Sequence, residues 1–252
     1  MAIIDDYKSF KRGPLLSPAM LTEVEESRRR DKSLLRLGGL AGILAGISFI
    51  LTIVILLGFV PTAPTTTVGP VMRWPDVRLA ITAGDAIYLV GDMLWIAFFV
   101  ALYRALRGTS LAPALFGGAL GLVGVIVQLV GGLPPVVFGR ISDLYHASGT
   151  SPVDQATLGL LWQAAQSSFN ETDTVAFILW NVGFILLGIA MLKAPAFGKV
   201  FGAVGLLLGL AGVTGISLFA IDSVSFAPFG ILAFIIFPIL FGWKVYTLSR
   251  AA

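Results

Sequence analysis

The sequence predicts an all-α integral membrane protein, a six-transmembrane-helix bundle, and three observations carry that prediction. Six apolar stretches, residues 35–60, 81–103, 111–138, 174–192, 197–220 and 226–248, are each near or above the roughly 20 residues a helix needs to cross about 30 Å of hydrocarbon. Charged residues make up only 12% of the chain, against about 25% in soluble globular domains, and they fall almost entirely between these stretches. Mean hydropathy is +0.92.

Two parts follow from this pattern: a basic, amphipathic tail, residues 1–34, and a six-helix transmembrane domain, residues 35–252. Neither the tail nor any loop can form a separate soluble domain of about 50 residues. Activity, if any, therefore resides in or beside the bilayer. The tail is polar and the first apolar stretch has no small-residue cleavage site, so that stretch is expected to be retained as the first span.

Lys and Arg accumulate on the cytoplasmic side of membrane spans. With the tail inside, all but Arg73, Arg78 and Arg140 of the 17 basic residues are cytoplasmic, and every acid beyond the tail lies in an outward loop or within a span. Both termini are therefore expected in the cytoplasm, and the location is expected to be the plasma membrane of a prokaryote. The same bias explains the pI near 9.3 without nucleic acid, because no basic patch is interleaved with base-stacking aromatics.

Taken in order, Ser17-Pro18 reads as an N-cap with proline at the first helical position, and Thr22 with Glu25 as a capping box, which predicts a short cytoplasmic helix reaching Asp31. Arg28, Arg29, Arg30 and Lys32 then lie beside the first span, placed to contact anionic lipid headgroups. Residues 61–79 read as an interfacial loop anchored by Trp74. In the second outer loop, Ser151-Pro152 opens another helix. Its apolar face carries Leu158, Leu161, Trp162, Ala165 and Phe169, which predicts an amphipathic helix flat on the outer surface, with Asn170 capping the fourth span.

Glycines recur at three- and four-residue spacing in the first, third and fifth spans: Gly39, Gly42 and Gly46; Gly117, Gly121 and Gly124; Gly198, Gly202, Gly205, Gly209 and Gly212. Such stripes let helix backbones approach closely in lipid. The three striped helices are expected to meet at the centre, or to offer surfaces for self-association or for other membrane-protein subunits. Similar runs at 38–42 and 117–121 permit a threefold repeat of helical hairpins. Pro238 is expected to kink the sixth span.

The second span holds the only charges expected deep in hydrocarbon, Asp85 and Asp92, seven residues and about 10 Å apart on one helix face. An intramembrane acid is paired, protonated or facing water, and it marks a functional candidate. Tyr88, Gln128 and Asn181 fall at matching depth, so these five residues are the candidate intramembrane polar site, a small cavity open to the outside. Arg78, on the same face as Asp85, is placed to neutralise it. Alternatively, Asp92 is protonated and hydrogen-bonded to Asn181 or Gln128.

Catalysis is not expected. The two Gly-Asp steps differ from intramembrane aspartyl proteases, since Thr82 and Leu89 replace the first glycine of Gly-x-Gly-Asp and both acids share one helix. The single histidine, His146, lies in an outer loop, and there is no cysteine, so no metal site, haem site or other cofactor is expected. Phe98, Phe99, Phe177, Phe184, Phe234 and Phe237 read as packing or lipid-facing residues.

The step into Leu37-Gly38-Gly39-Leu40-Ala41-Gly42, the acid of the second span and its exit as Ala101-Leu102-Tyr103-Arg104-Ala105-Leu106-Arg107 resemble a bacterial family of multi-pass membrane proteins classed as a domain of unknown function. The resemblance implies no activity, cofactor or catalytic residue. The leading expectation is a non-catalytic accessory or scaffold subunit of a membrane assembly. Its alternatives are a proton, cation or small-solute channel or transporter using Asp92 and Asp85, and a lipid- or quinone-binding protein with its pocket in the outer half.

Overall fold

Long runs of Leu, Ala, Ile and Phe with few breakers fold into seven helices among the residues that the computed structural model describes, 18–61, 66, 68–131, 134–219 and 227–251. These are α1 (Pro18–Phe59), α2 (Gly69–Leu106), α3 (Leu111–Gly131), α4 (Pro134–Tyr145), α5 (Pro152–Lys193), α6 (Gly198–Phe219) and α7 (Ala227–Ala251), with no strand among the described residues. Six helical stretches are long and apolar enough to cross a membrane, as a multi-pass membrane protein requires. Their outer faces carry large apolar side chains in the open, among them Leu57, Phe116, Val130 and Val200, at 61–82% exposure. A soluble surface does not tolerate such a belt; lipid does.

Several expected boundaries move. The cytoplasmic helix and the first span are one 42-residue helix, because nothing between Asp31 and Leu37 breaks it. Proline does open α1 at Pro18, whereas the Ser17 cap lies outside the described residues. Arg28, Arg29, Arg30 and Lys32 are exposed on this extension, Arg29 pairing with Glu25 and Arg30 with Glu26 at 3.3 and 3.4 Å. Arg104 at the end of α2 grips Asp31 with two nitrogens, Nε donating at 2.7 Å and Nη2 to the other oxygen, which ties the extension to the bundle.

The interfacial loop is corrected too: residues 69–79 are the first turns of α2, with Pro70 at the helix start and Pro75 inside. Among the described residues the helix of the third span ends at Gly131, and residues 134–145 form α4. The fourth span and the outer helix are one continuous α5, since no Gly or Pro stands between Gly159 and Gly183. Asn170 is therefore no cap; its Oδ1 accepts from Gln166 within the helix at 2.9 Å. The helix does start where the sequence placed it. Ser151 Oγ accepts from the Asp154 amide at 3.2 Å, and the Asp154 carboxylate accepts from the Ser151 amide at 3.4 Å. Replacing Ser151 with Ala is expected to cost about 1 kcal/mol of local stability. Amide exchange over residues 153–155 is expected to accelerate while the body of α5 stays protected.

The six long helices close a ring in the order α1, α2, α3, α5, α6, α7, each packed on the next and α7 back on α1. Each antiparallel hairpin thus packs within itself and against the next hairpin. One end of the bundle, the tail end, holds the start of α1 and the close of α7. At the opposite, head end, α4 bridges α2 and α5. There Val71, Trp74, Phe138, Ile141, Tyr145 and Trp162 form a small core of their own. Trp162 is 5% exposed between Trp74 and Phe138, at ring separations of 5.3 and 4.4 Å, so this part of α5 belongs to a three-helix head instead of lying alone on a membrane surface.

The middle of the ring is filled with aromatic rings. Trp95 stacks on Phe99, Trp180 and Phe184 at 5.2, 5.8 and 5.6 Å, and Phe184 lies on Phe237 at 3.8 Å and 9°. Phe98, Phe99, Phe184, Phe234 and Phe237 are all buried, so these phenylalanines pack and do not face lipid. The glycine stripes are explained by the same ring. The helices α1, α3 and α6 do not meet at the centre; they alternate around it, and their glycines receive the helices beside them. A side chain at Gly42 would strike Phe98, at Gly121 Phe99, at Gly124 Trp180, and at Gly39 the backbone of α7.

Candidate functional site

Below the three-helix head lies a cavity of about 810 Å³. Its walls are mostly apolar: Leu56 from α1 and Val60 just past its end, Trp74, Val77 and Ile81 from α2, Phe138 from α4, and Trp162 and Phe169 from α5. Leu57, 82% exposed, marks the rim. The helices α2 and α5 wall it because both run past the ring into the head, a consequence of their 38- and 42-residue lengths. Toward the middle of the bundle the walls become polar, with Asp85, Tyr88 and Gln128.

Three of the five predicted polar residues therefore line one cavity. Gln128 is 1% exposed; its Nε2 donates to Asp173 Oδ1 at 2.6 Å, and its Oε1 has no hydrogen-bond partner. Asp92 is 2% exposed and sits one step deeper, in a narrow cleft with Ala45, Phe49, Trp95 and Phe234, where its Oδ2 is also unpartnered. Tyr88 borders both spaces and lies within electrostatic reach of Asp85, Asp92 and Asp173 alike. Its ring rests on Phe49 at 5.7 Å.

Asn181 stands apart. Fully buried, it donates to the Phe177 carbonyl at 2.8 Å, and its amide fills the space over Gly212 of α6, so it serves the α5–α6 contact. No hydrogen bond joins Asp92 to Asn181 or Gln128, which removes the expected amide partner. Arg78 does not neutralise Asp85; it pairs with Asp143 of α4 at 3.0 Å on the surface of the head. His146 is likewise taken up locally, its Nδ1 beside the Ser142 carbonyl at 2.9 Å.

Sequence reasoning missed Asp173, which lies just before the expected start of the fourth span at residue 174. The signal was its depth: continuing α5 upward without a break puts Asp173 opposite Gln128. It also missed Trp74 and Arg73, cavity residues whose Nε1 and Nε have no hydrogen-bond partner, although Arg73 Nη1 donates to the Pro61 carbonyl. Among the described residues no three acids or histidines converge to chelate a metal ion. No protein-family model, curated protein or solved structure matches the chain. The geometry is thus the basis for assigning a role.

Proposed function

We propose that this protein binds a small membrane-soluble amphiphile, a lipid or lipophilic metabolite, in the cavity beneath its three-helix head. The supporting observation is the shape and lining of that cavity: about 810 Å³, within the usual range for organic ligands, with mostly apolar walls that also include Arg73 and the α5 residues Gln163, Gln166 and Ser167, and with Asp85, Tyr88 and Gln128 at the inner end. An apolar wall suits a tail that partitions from lipid, and the polar end orients it. With the basic residues of the tail end in the cytoplasm, the cavity faces the outer half of a prokaryotic plasma membrane.

Two other readings lose support. A scaffold role was drawn from the glycine stripes, but all of those glycines except Gly198 have other parts of the same chain against them, Gly117 against Gly183 and Leu187, and Gly205 against Gly188. A channel needs a continuous polar path, whereas the stacked rings from Trp95 to Phe241 fill the bundle on the tail side of Asp92. Neither reading assigns a catalytic residue, and this one does not either.

The test is native mass spectrometry of the full chain released from its own membranes in mild detergent. The expected result is one retained amphiphile per chain, retained less by Ile81→Trp, whose larger indole intrudes on the cavity. Recovery of a reproducible partner protein without a bound small molecule would restore the scaffold reading. Proton flux in liposomes abolished by Asp92→Asn would restore transport.

A further inference from the structure

Resting on the binding reading above, we infer that the ligand carries a protonated amine: the cavity takes an organic ammonium on an apolar tail, with the charged head held between Asp85, Gln128 and Tyr88.

Charge balance points there first. Asp85 lines the cavity, and Asp92 and Asp173 lie with it within electrostatic reach of Tyr88, yet no ion pair among the described residues reaches any of the three: Arg78 is given to Asp143, and Arg104 to Asp31 at the far end of the bundle. Arg73 lines the same cavity, but it lies 12 residues before Asp85, about 18 Å along the helix, and with Nη1 on the Pro61 carbonyl and Nε unpartnered it makes no ion pair with any of the three acids. Carboxylates in an apolar setting call for a cation or a proton as partner.

The second observation is independent of charge. Gln128 lines the cavity while 1% exposed, and its Nε2 is already spent on Asp173, so the carbonyl Oε1 is left without a donor. A buried carbonyl without a donor is destabilising, and a ligand N–H relieves it. An ammonium supplies up to three such donors together with the positive charge. The Tyr88 ring adds a π face for the same group.

The identity of the cation follows from what is missing. The acids do not converge on one point as a metal ion requires, and a bare ion would leave the long apolar wall without a role. An ammonium with a chain of about ten carbons uses both the inner polar end and the wall of Leu56, Val77, Ile81 and Trp162.

The experiment uses the full chain in nanodiscs, titrated calorimetrically with decylammonium, decanol and decanoate against protein-free nanodiscs. Decylammonium is expected to bind saturably and at least about tenfold tighter than decanol, with decanoate weakest. Asp85→Asn is expected to bring decylammonium to within about twofold of decanol while leaving decanol unchanged. Decanol binding as tightly as decylammonium to the unaltered protein would overturn the ammonium inference and leave the amphiphile site standing. No saturable binding of any of the three would overturn both. Gln128→Met, which keeps the charges, is expected to weaken decylammonium but not decyltrimethylammonium, which has no N–H; equal loss of both would overturn the role given to Oε1.

Discussion

Trp95→Ala is expected to destabilise the bundle by about 2–3 kcal/mol, the largest effect of any single truncation in the ring. The indole touches Phe98, Phe99, Trp180, Phe184 and Phe234 at ring separations between 5.2 and 5.8 Å and is 2% exposed. In a membrane the transfer of apolar surface from water contributes little, because the separated helices remain in lipid. What remains is the lost dispersion around the void. At about 24 cal/mol per Å³, a void on the order of 100 Å³ gives about 2–3 kcal/mol. The measurement is the free energy of unfolding in bicelles, with Phe116→Ala as the control. Phe116 is 61% exposed on the lipid-facing side and is expected to shift stability by less than about 0.5 kcal/mol. Equal losses for the two variants would mean that the stacked rings do not hold the ring of helices together.

Gly39→Ala is the second large effect, and it acts through the backbone. A Cβ at Gly39 would lie 2.5 Å from the Tyr246 nitrogen and 2.8 Å from the Gly242 carbonyl oxygen, and a Cβ at Gly242 would lie 2.7 Å from the Gly39 carbonyl oxygen. No rotamer change relieves a clash with backbone, so α1 and α7 have to separate. Overpacking of this kind costs about 1–3 kcal/mol. Gly118→Ala supplies the comparison, since its Cβ meets only the Tyr103 Cβ at an ordinary 3.6 Å. Thermal unfolding in detergent is expected to fall for Gly39→Ala and Gly242→Ala and to hold for Gly118→Ala. Because residues 39 and 242 share one contact, the double variant is expected to lose less than the two single losses added.

How much of the site could be read in advance is visible residue by residue. Asp85, Tyr88 and Gln128 were found because an acid, a phenol and an amide are rare inside apolar runs, and helical spacing alone puts the first two near one face. Asp92 was found for the same reason, but its position behind the cavity depends on Phe49 and Phe234, which come from other helices. Asn181 was misplaced because depth along a helix says nothing about which way the helix is turned. Asp173 and Trp74 were missed as cavity residues because both lie outside the expected spans, Asp173 just before the fourth and Trp74 in the stretch read as an interfacial loop, and the length by which a helix overshoots is not written in its hydropathy.

The sequence by itself determined the six stretches apolar enough to cross and the bias of charge along the chain, since these depend on the local choice of each residue between hydrocarbon and water. Only the tertiary structure decided that the striped helices α1, α3 and α6 alternate around the ring. Only it showed that α2 and α5 run on to carry a three-helix head, and that a cavity opens beneath it. The reason is physical. Insertion into lipid is governed by the polarity of each segment alone, whereas the order and rotation of helices within lipid are governed by shape, by which backbone fits beside a glycine and which ring fills the space over it.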